Sequence, residues 1–310
     1  IRNFLTNTGK NKKRLSGFLM TLIILITFNL LIIMILYISS FNYIIYLAVV
    51  SIILSTTFAI KSLIKSVLEV YSSLNIDLDK ARIFVSYLVS RKTSQLSLEG
   101  VVSAAIETLT ENITDSIISP LFYIFLCGSV GTLLIITMGD NVIYPFLNFL
   151  GLSGLRSSDF QFPLLLGVMA GVSFRVVNTL DAMVGYKDPQ NIDIGWFPAR
   201  LDDVINYVPA RATGLLIIIS ALLMGLNYKS SWQVMLADAR KTPSPNSGYP
   251  MAAAAGALDI QLIKPNVYIL GRPKNGLTPE MIKKAVKLTM ITVVIFLLII
   301  FAIPILIIVF

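Results

Sequence analysis

Three carboxylates, Glu107, Glu111 and Asp115, stand four residues apart, with Asn112 beside the second. On a helix that spacing lines them along one face. Like charges this close repel unless a cation sits among them. Oxygen-only groups suit Mg²⁺, which often binds through one or two carboxylates plus substrate phosphates. Salt bridges from this face to the arginines of 178–211 are the alternative, and spacing alone does not separate the two. A second polar stretch runs from Asn178 and Asp181 through Lys187, Arg200, Asp202 and Asp203 to Arg211. Adjacent Asp202 and Asp203 cannot face the same way on a helix. One is free to hold a metal while the other pairs with arginine, whose planar fork matches carboxylate or phosphate. An interfacial charge network explains them equally well. A third stretch, Pro243-Ser244-Pro245-Asn246-Ser247-Gly248, is a tight loop feeding a small-residue helix, Met251 to Leu258. Backbone N–H groups at such a helix start attract anions, although ordinary loop punctuation accounts for the pattern too. Tyr186, Trp196 and Tyr207 flank the second stretch, as interface anchors or as a platform for a flat ligand.

What the chain lacks narrows the chemistry further. It has no histidine and one cysteine, Cys127. Histidine bases, histidine metal ligands, internal disulfides and cysteine-built metal sites are therefore excluded. Neither a Walker A pattern nor G-x-G-x-x-G is present. Any catalysis rests on Asp, Glu, Lys, Arg, Tyr, Asn or Ser.

The surrounding sequence is 55% hydrophobic and only 14% charged, where a soluble domain carries about 25% charged residues. Its mean hydropathy is +0.79. These values place the chain in a membrane, where embedded ionisable groups point to function. The net charge is +8. Lys10, Lys12, Lys13 and Arg14 read as topological signals of the positive-inside kind, and the arginines inside the polar stretches as binders of an anionic substrate. The chain starts at Ile1, so a short preceding piece is expected.

Leu15 to Ile38 is long enough to span, at about 20 apolar residues per crossing. It reads as a signal-anchor helix, with Phe41 to Ile60 returning after a turn at Ser39-Ser40. Residues 61–100 are expected to be cytoplasmic, with an amphipathic helix from Asp77 to Val89. Val101 to Ser119 is helix-like, Leu121 to Met138 spans, and Asn141 to Ser158 forms an outer loop with a short interfacial helix. Phe162 to Val177 spans back, followed by a polar loop over 178–211. Ala212 to Leu226 is too short for a sure crossing and reads as buried or re-entrant. Residues 228–283 are expected to be loop-rich, and Lys284 to Phe310 is the last span. The expectation is an all-α integral membrane protein, a polytopic helical bundle of about five spans plus re-entrant or interfacial helices and cytoplasmic catalytic loops. Residues 1–310 form a single membrane domain: a hairpin at 15–60, a catalytic region at 76–271 and a C-terminal span at 284–310.

Taken together the polar stretches resemble the CbiB/CobD-type adenosylcobinamide-phosphate synthases of cobalamin biosynthesis. The resemblance is carried by Ala104-Ala-Ile-Glu-Thr-Leu-Thr-Glu-Asn-Ile-Thr-Asp-Ser, Ser119-Pro-Leu-Phe-Tyr123 and Phe174-Arg-Val-Val-Asn-Thr-Leu-Asp-Ala-Met-Val-Gly-Tyr186. It continues through Gly195-Trp196, Ala199-Arg-Leu-Asp-Asp-Val-Ile-Asn-Tyr-Val-Pro-Ala-Arg211, Ser244-Pro-Asn-Ser-Gly248 and Ala255-Gly-Ala-Leu258. The motifs cover about Ala81 to Gly271 in family order. Three departures stand out. Ser90-Arg91-Lys92-Thr93 replaces Gly-Arg-Asp-Thr, Thr242-Pro243 replaces His-Pro, and roughly 40 residues from Gly131 to Ser173 are inserted.

The resemblance implies an ATP- and Mg²⁺-dependent amide ligase joining adenosylcobyric acid to aminopropanol phosphate or a related amino-alcohol phosphate. The catalytic set expected is Glu107, Glu111, Asn112, Asp181, Arg200, Asp202, Asp203 and Arg211. Asn178, Lys187, Ser244, Asn246 and Gly248 are the expected nucleotide or phosphate binders, and Glu107, Glu111, Asp115, Asp181 and Asp203 the expected Mg²⁺ ligands. Expected partners are the corrinoid, the amino-alcohol phosphate, ATP and the lipid bilayer, with no nucleic acid. A homo-oligomer or a complex with later pathway enzymes is left open. The active site is expected to face the cytoplasm from the plasma membrane. A non-catalytic membrane sensor or scaffold is the main rival, and a carboxylate-based cation transporter a lesser one. A CDP-alcohol phosphotransferase is disfavoured because Ala199-Arg200 directly precedes Asp202-Asp203.

Overall fold

The computed structural model describes residues 9–138, 140–152, 161–186 and 188–309. In chain order these form α1 (Lys10–Ser39), α2 (Tyr43–Thr57), α3 (Ile60–Leu74), α4 (Leu78–Ser86) and α5 (Leu98–Ile113). A π-helical turn (Thr114–Ile118) leads into α6 (Ser119–Met138), α7 (Asp140–Phe149), α8 (Gln161–Val184), α9 (Trp196–Ile205), α10 (Tyr207–Leu223) and α11 (Tyr228–Asp238). A 3₁₀ turn (Ala239–Lys241), α12 (Gly248–Leu258), strands β1 (Gln261–Lys264) and β2 (Tyr268–Gly271), and α13 (Pro279–Val309) follow. Asn42, Asp77, Ser97 and Asn227 cap the starts of α2, α4, α5 and α11, each side chain accepting from a backbone N–H of the first turn.

Among the described residues, five helices are long and apolar enough to cross a membrane: Asn11–Ser39, Tyr43–Leu74, Leu98–Met138, Gln161–Val184 and Pro279–Ala302. The pair α9 and α10 passes the same test together. The expected all-α polytopic bundle is therefore present, with β1 and β2 as the one hairpin among the described residues.

The helices gather into two compact units, each assembled from separated stretches. The first comprises Ile1–Phe58 and Ser119–Ile205, the second Ala59–Ile118 and Asn206–Phe310. In the first, Ile32, Leu36, Tyr46, Val50, Phe162 and Leu165 share a core, and the Tyr46 hydroxyl donates to the Gln161 carbonyl at 2.7 Å. Arg14, expected to serve topology, pairs with Asp193 at 3.3 Å and lies over the Trp196 ring. In the second, Val67, Val70, Val85, Ala105, Met251 and Ile282 belong to one core. Helix α12 is buried along nearly its whole length. Its alanines and glycines let neighbouring backbones come close, as small residues do between membrane helices.

Three local expectations are corrected. Helix α8 runs to Val184 rather than ending at Val177, so Asn178 and Asp181 ride on a helix and not in a loop. Buried Phe174, Val177, Leu180 and Val184 continue the helical stripe beneath the polar residues, which occupy other positions of the same turns. Residues 61–100 contain α3 as well as α4. The region 228–283, expected to be loops, contains α11 and the hairpin. The buried face of α11 includes Ser230, Ser231 and Asp238 beside Val234 and Met235, so its apolar pattern is weak. The Ser231 hydroxyl donates to the Ala253 carbonyl at 2.7 Å.

A Cβ added at Gly256 lies 2.5 Å from the Ser230 carbonyl oxygen, a backbone atom that cannot step aside, whereas one at Gly276 meets nothing within 4 Å. Gly256→Ala is expected to destabilise the protein by about 1–3 kcal/mol, the usual range for overpacking. Gly276→Ala is expected to leave the thermal midpoint in detergent unchanged.

Candidate functional site

The predicted residues sort into one cluster on the first unit and two on the second. On the first unit, α8 supplies Asn178 and Asp181 in its last two turns, and α9 supplies Arg200, Asp202 and Asp203. The Asn178 amide donates to Asp202 Oδ1 at 3.3 Å, while its own oxygen accepts from Arg175 Nη1 at 3.2 Å. Asp202 is buried, and this amide relay supplies one of its partners. Arg200 reaches Asp203 at 3.7 Å with two thirds of its side chain exposed, a pairing that contributes little by itself. Asp202 and Asp203 are the charged groups in electrostatic range of Asp181. The Asp181 carboxylate takes up neither a hydrogen bond nor an ion pair among the described residues. The same two helices line an apolar cavity of about 320 Å³ with Ser173, Phe174, Val177, Leu201 and Ile205. Lys187 lies outside the described residues.

On the second unit, Glu107 is engaged at both oxygens. Its Oε1 accepts from Arg91 Nη2 at 3.1 Å and from the Ser103 hydroxyl at 2.6 Å, and its Oε2 from the Tyr268 hydroxyl at 2.8 Å. Side-chain exposure is 14% for Arg91 and 6% for Glu107, so this is a buried ion pair with its lone pairs supplied. Burial, and after it the Glu107 charge, raise the Tyr268 hydroxyl pKa above the ordinary phenol value. The hydroxyl therefore stays protonated and donates. Glu111, one turn further along α5, is half-buried and has Lys264 and Glu107 in electrostatic range. The Asn112 amide is turned back onto Thr108. Asp115 lies in the π-helical turn, where the 3.6-residue period behind the one-face expectation no longer holds.

Arg211, Ser244, Asn246 and Gly248 also come together on the second unit. The Arg211 guanidinium is sandwiched between the Tyr207 and Tyr249 rings, 3.3 and 4.2 Å from their centroids. It donates to Asn246 Oδ1 at 3.1 Å. Ser244 Oγ accepts from the N–H groups of Asn246 and Ser247, so those donors are already used within the loop. Gly248 is there for space: a Cβ would lie 1.9 Å from the Ala239 carbonyl oxygen. Among the described residues, no group of three or more Asp, Glu or Cys side chains is arranged to hold a metal ion.

The family profile described as "CobD/Cbib protein" matches residues 1–291. The chain belongs to the CobD/CbiB family. It is 45% identical over 297 residues to the "Probable cobalamin biosynthesis protein CobD" of Methanothermobacter thermautotrophicus, covering 96% of this chain and 84% of that one. The protein of the same description from Methanocaldococcus jannaschii is 38% identical over 261 residues, covering 83% and 70%. The "Cobalamin biosynthesis protein CobD" of Pelobacter propionicus is 37% identical over 223 residues, covering 72% and 57%. No solved structure matches. Membership assigns the chain to a family of cobalamin biosynthesis and accounts for the order of its polar motifs.

Sequence reasoning missed Arg91, Ser103, Tyr268 and Arg175 as partners of the predicted residues. One signal was legible. Ser103 precedes Glu107 by four residues, the helical spacing of a side-chain contact. Tyr268 was not recoverable, because its approach depends on an unpredicted hairpin.

Removing one member of a buried ion pair typically costs about 3–5 kcal/mol, whereas replacing both by well-packed groups is often neutral. Arg91→Met alone is expected to destabilise the protein by about that amount. Arg91→Met with Glu107→Leu is expected to recover most of the loss, read as denaturation midpoints in a double-mutant cycle.

Proposed function

We propose that this protein is an ATP-dependent amide ligase joining the free carboxylate of adenosylcobyric acid to an amino-alcohol phosphate such as aminopropanol phosphate. A carboxylate is a poor electrophile at neutral pH, so ATP must first activate it. In the acyl-phosphate route a carboxylate oxygen attacks the γ-phosphorus of ATP, the bond to the β-phosphate oxygen breaks, and ADP leaves. The amine then attacks the carbonyl carbon, phosphate leaves with the C–O electrons, and a proton goes from the ammonium to a carboxylate base. The observation carrying this reading is the cluster of Asn178, Asp181, Arg200, Asp202 and Asp203, in which Asp181 is unengaged among the described residues. A sensor or scaffold has no need of that arrangement.

Magnesium fits this cluster better than it fits Glu107. Both Glu107 oxygens are filled by protein donors. Mg²⁺ needs only one or two protein carboxylates when phosphates and waters complete its shell, and Asp181 with Asp203 would supply them. The ion would neutralise charge on the ATP phosphates. Arg200, mostly exposed beside Asp203, would clamp a phosphate oxygen. Arg211 is a weaker candidate for contact with phosphate, since two rings and Asn246 already hold it. The protein is multi-pass, and in this reading it lies in the plasma membrane with its active site facing the cytoplasm, where ATP is available.

Purified protein is expected to form the amide only when ATP, Mg²⁺, the corrinoid acid and the amino-alcohol phosphate are all present. Glu111→Gln and Asp203→Asn are expected to lower kcat by at least about 100-fold while membrane insertion is unchanged. Wild-type turnover in either variant removes that residue from the mechanism. Pro245→Cys, exposed in the same loop, in a Cys127→Ser background, is expected to react with a membrane-impermeant maleimide only in inside-out vesicles. Labelling from the outer face reverses the orientation.

A further inference from the structure

We propose that Glu111 and Lys264 form a two-point site for a zwitterionic amino phosphate, the carboxylate receiving its ammonium end and the lysine its phosphate. This rests on the ligase reading and names residues that hold the amine substrate; Lys264 was not among the residues singled out in the sequence.

The placement of Lys264 is fixed from both sides. Its chain neighbour Ile263 donates its N–H to the Ser103 hydroxyl at 2.9 Å and accepts from Arg91 Nη1 at 3.4 Å. Its register partner Tyr268 is bonded to Glu107, and the Lys264 ammonium lies 5.9 Å from the Tyr268 ring centroid. The hairpin is thus fastened to α5 at Ser103 and Glu107, one turn before Glu111. Lys264 is the cation in electrostatic range of Glu111.

The two charges are nonetheless not closed on each other. Both residues are half-buried, yet neither forms an ion pair among the described residues. Partial withdrawal of a charge from water is costly when no partner is in contact. Two flexible surface chains would collapse into a pair; here the backbones are held by the bonds through Ser103, Glu107 and Arg91. A ligand carrying an ammonium and a phosphate satisfies both charges at once. The neighbouring ionic groups do not compete for it. Both Glu107 oxygens are occupied, the Arg91 Nη atoms are turned to Glu107 and Ile263, and the Arg91 Nε, without a partner among the described residues, is buried away from a ligand. Glu111 is left for the ammonium and Lys264 for the phosphate.

The test is titration calorimetry on the full-length chain in detergent, without ATP or corrinoid. The probes are aminopropanol phosphate, propyl phosphate and aminopropanol. The full zwitterion is expected to bind at least about 10-fold more tightly than either half, the scale of a charge-assisted hydrogen bond. Lys264→Gln is expected to weaken zwitterion binding by about 10-fold or more and to erase its advantage over aminopropanol. Lys264→Arg is expected to retain it. Glu111→Gln is expected to erase the advantage over propyl phosphate. Should Lys264→Gln not fold, Lys264→Met serves in its place. Equal binding of zwitterion and halves, no binding by the wild type, or unchanged affinity in Lys264→Gln or Lys264→Met overturns the proposal. Turnover is read separately. Amide formation with an unchanged KM for the amine in Lys264→Gln sinks this site and leaves the ligase reading standing. Selective zwitterion binding without amide formation does the reverse.

Discussion

A carboxylate withdrawn from water must be given partners, and Glu107 shows what that requirement does to the rest of its unit. Its three donors come from three places: the segment after α4, the preceding turn of α5, and the β-hairpin. Leu262 and Leu270 already pack the hairpin into the core that α5 shares. Satisfying the buried charge adds a second, polar constraint on how the hairpin lies on α5 and where its lysine comes to rest. The Ser103 hydroxyl is used twice, donating to Glu107 and accepting from Ile263. That double use ties the side-chain network to the hairpin backbone. Half-satisfied, such a network is worse than an apolar core. This gives a physical reason for finding Glu, Arg, Tyr and Ser together in a chain otherwise built for lipid.

The first unit meets the same requirement differently. Asn178 stands between Arg175 and Asp202, accepting from one and donating to the other. Asp202 is buried within this relay, Asp203 leans on an exposed arginine, and Asp181 has no direct partner among the described residues. Three carboxylates in graded environments differ in what they can do. The engaged one orients its neighbours, and the unengaged one is available to a cation or a proton. The apolar cavity along the same helices places greasy surface next to this polar end.

Much of the fold was legible because its signals are local. Long apolar runs gave the spans, the Ser39-Ser40 turn gave the first reversal, and the family motifs gave the polar residues in order. The failures have physical causes. At α8 the polar residues Asn178 and Asp181 masked a buried stripe that continues beneath them. At α11 the buried face carries serines and an aspartate satisfied by neighbouring elements, so apolar periodicity could not reveal it. The hairpin is too short to announce itself, and its position depends on Tyr268 reaching a carboxylate 161 residues earlier in the chain. Within the candidate site the residue types were readable from the sequence, and their partners were not. Gly248 and Ser244 illustrate the difference. Both looked like phosphate-loop residues, and in the fold one makes room for the Ala239 carbonyl while the other caps its own loop.

The most direct test of the central claim, that this chain activates a carboxylate with ATP before an amine attacks it, follows the oxygen atoms. Adenosylcobyric acid labelled with ¹⁸O at both free carboxylate oxygens is converted by the purified protein, and the products are analysed by mass spectrometry. Activation through an acyl phosphate predicts one labelled oxygen in the released inorganic phosphate and the other in the new amide carbonyl. Amide formed with no label in any phosphate-containing product contradicts the account.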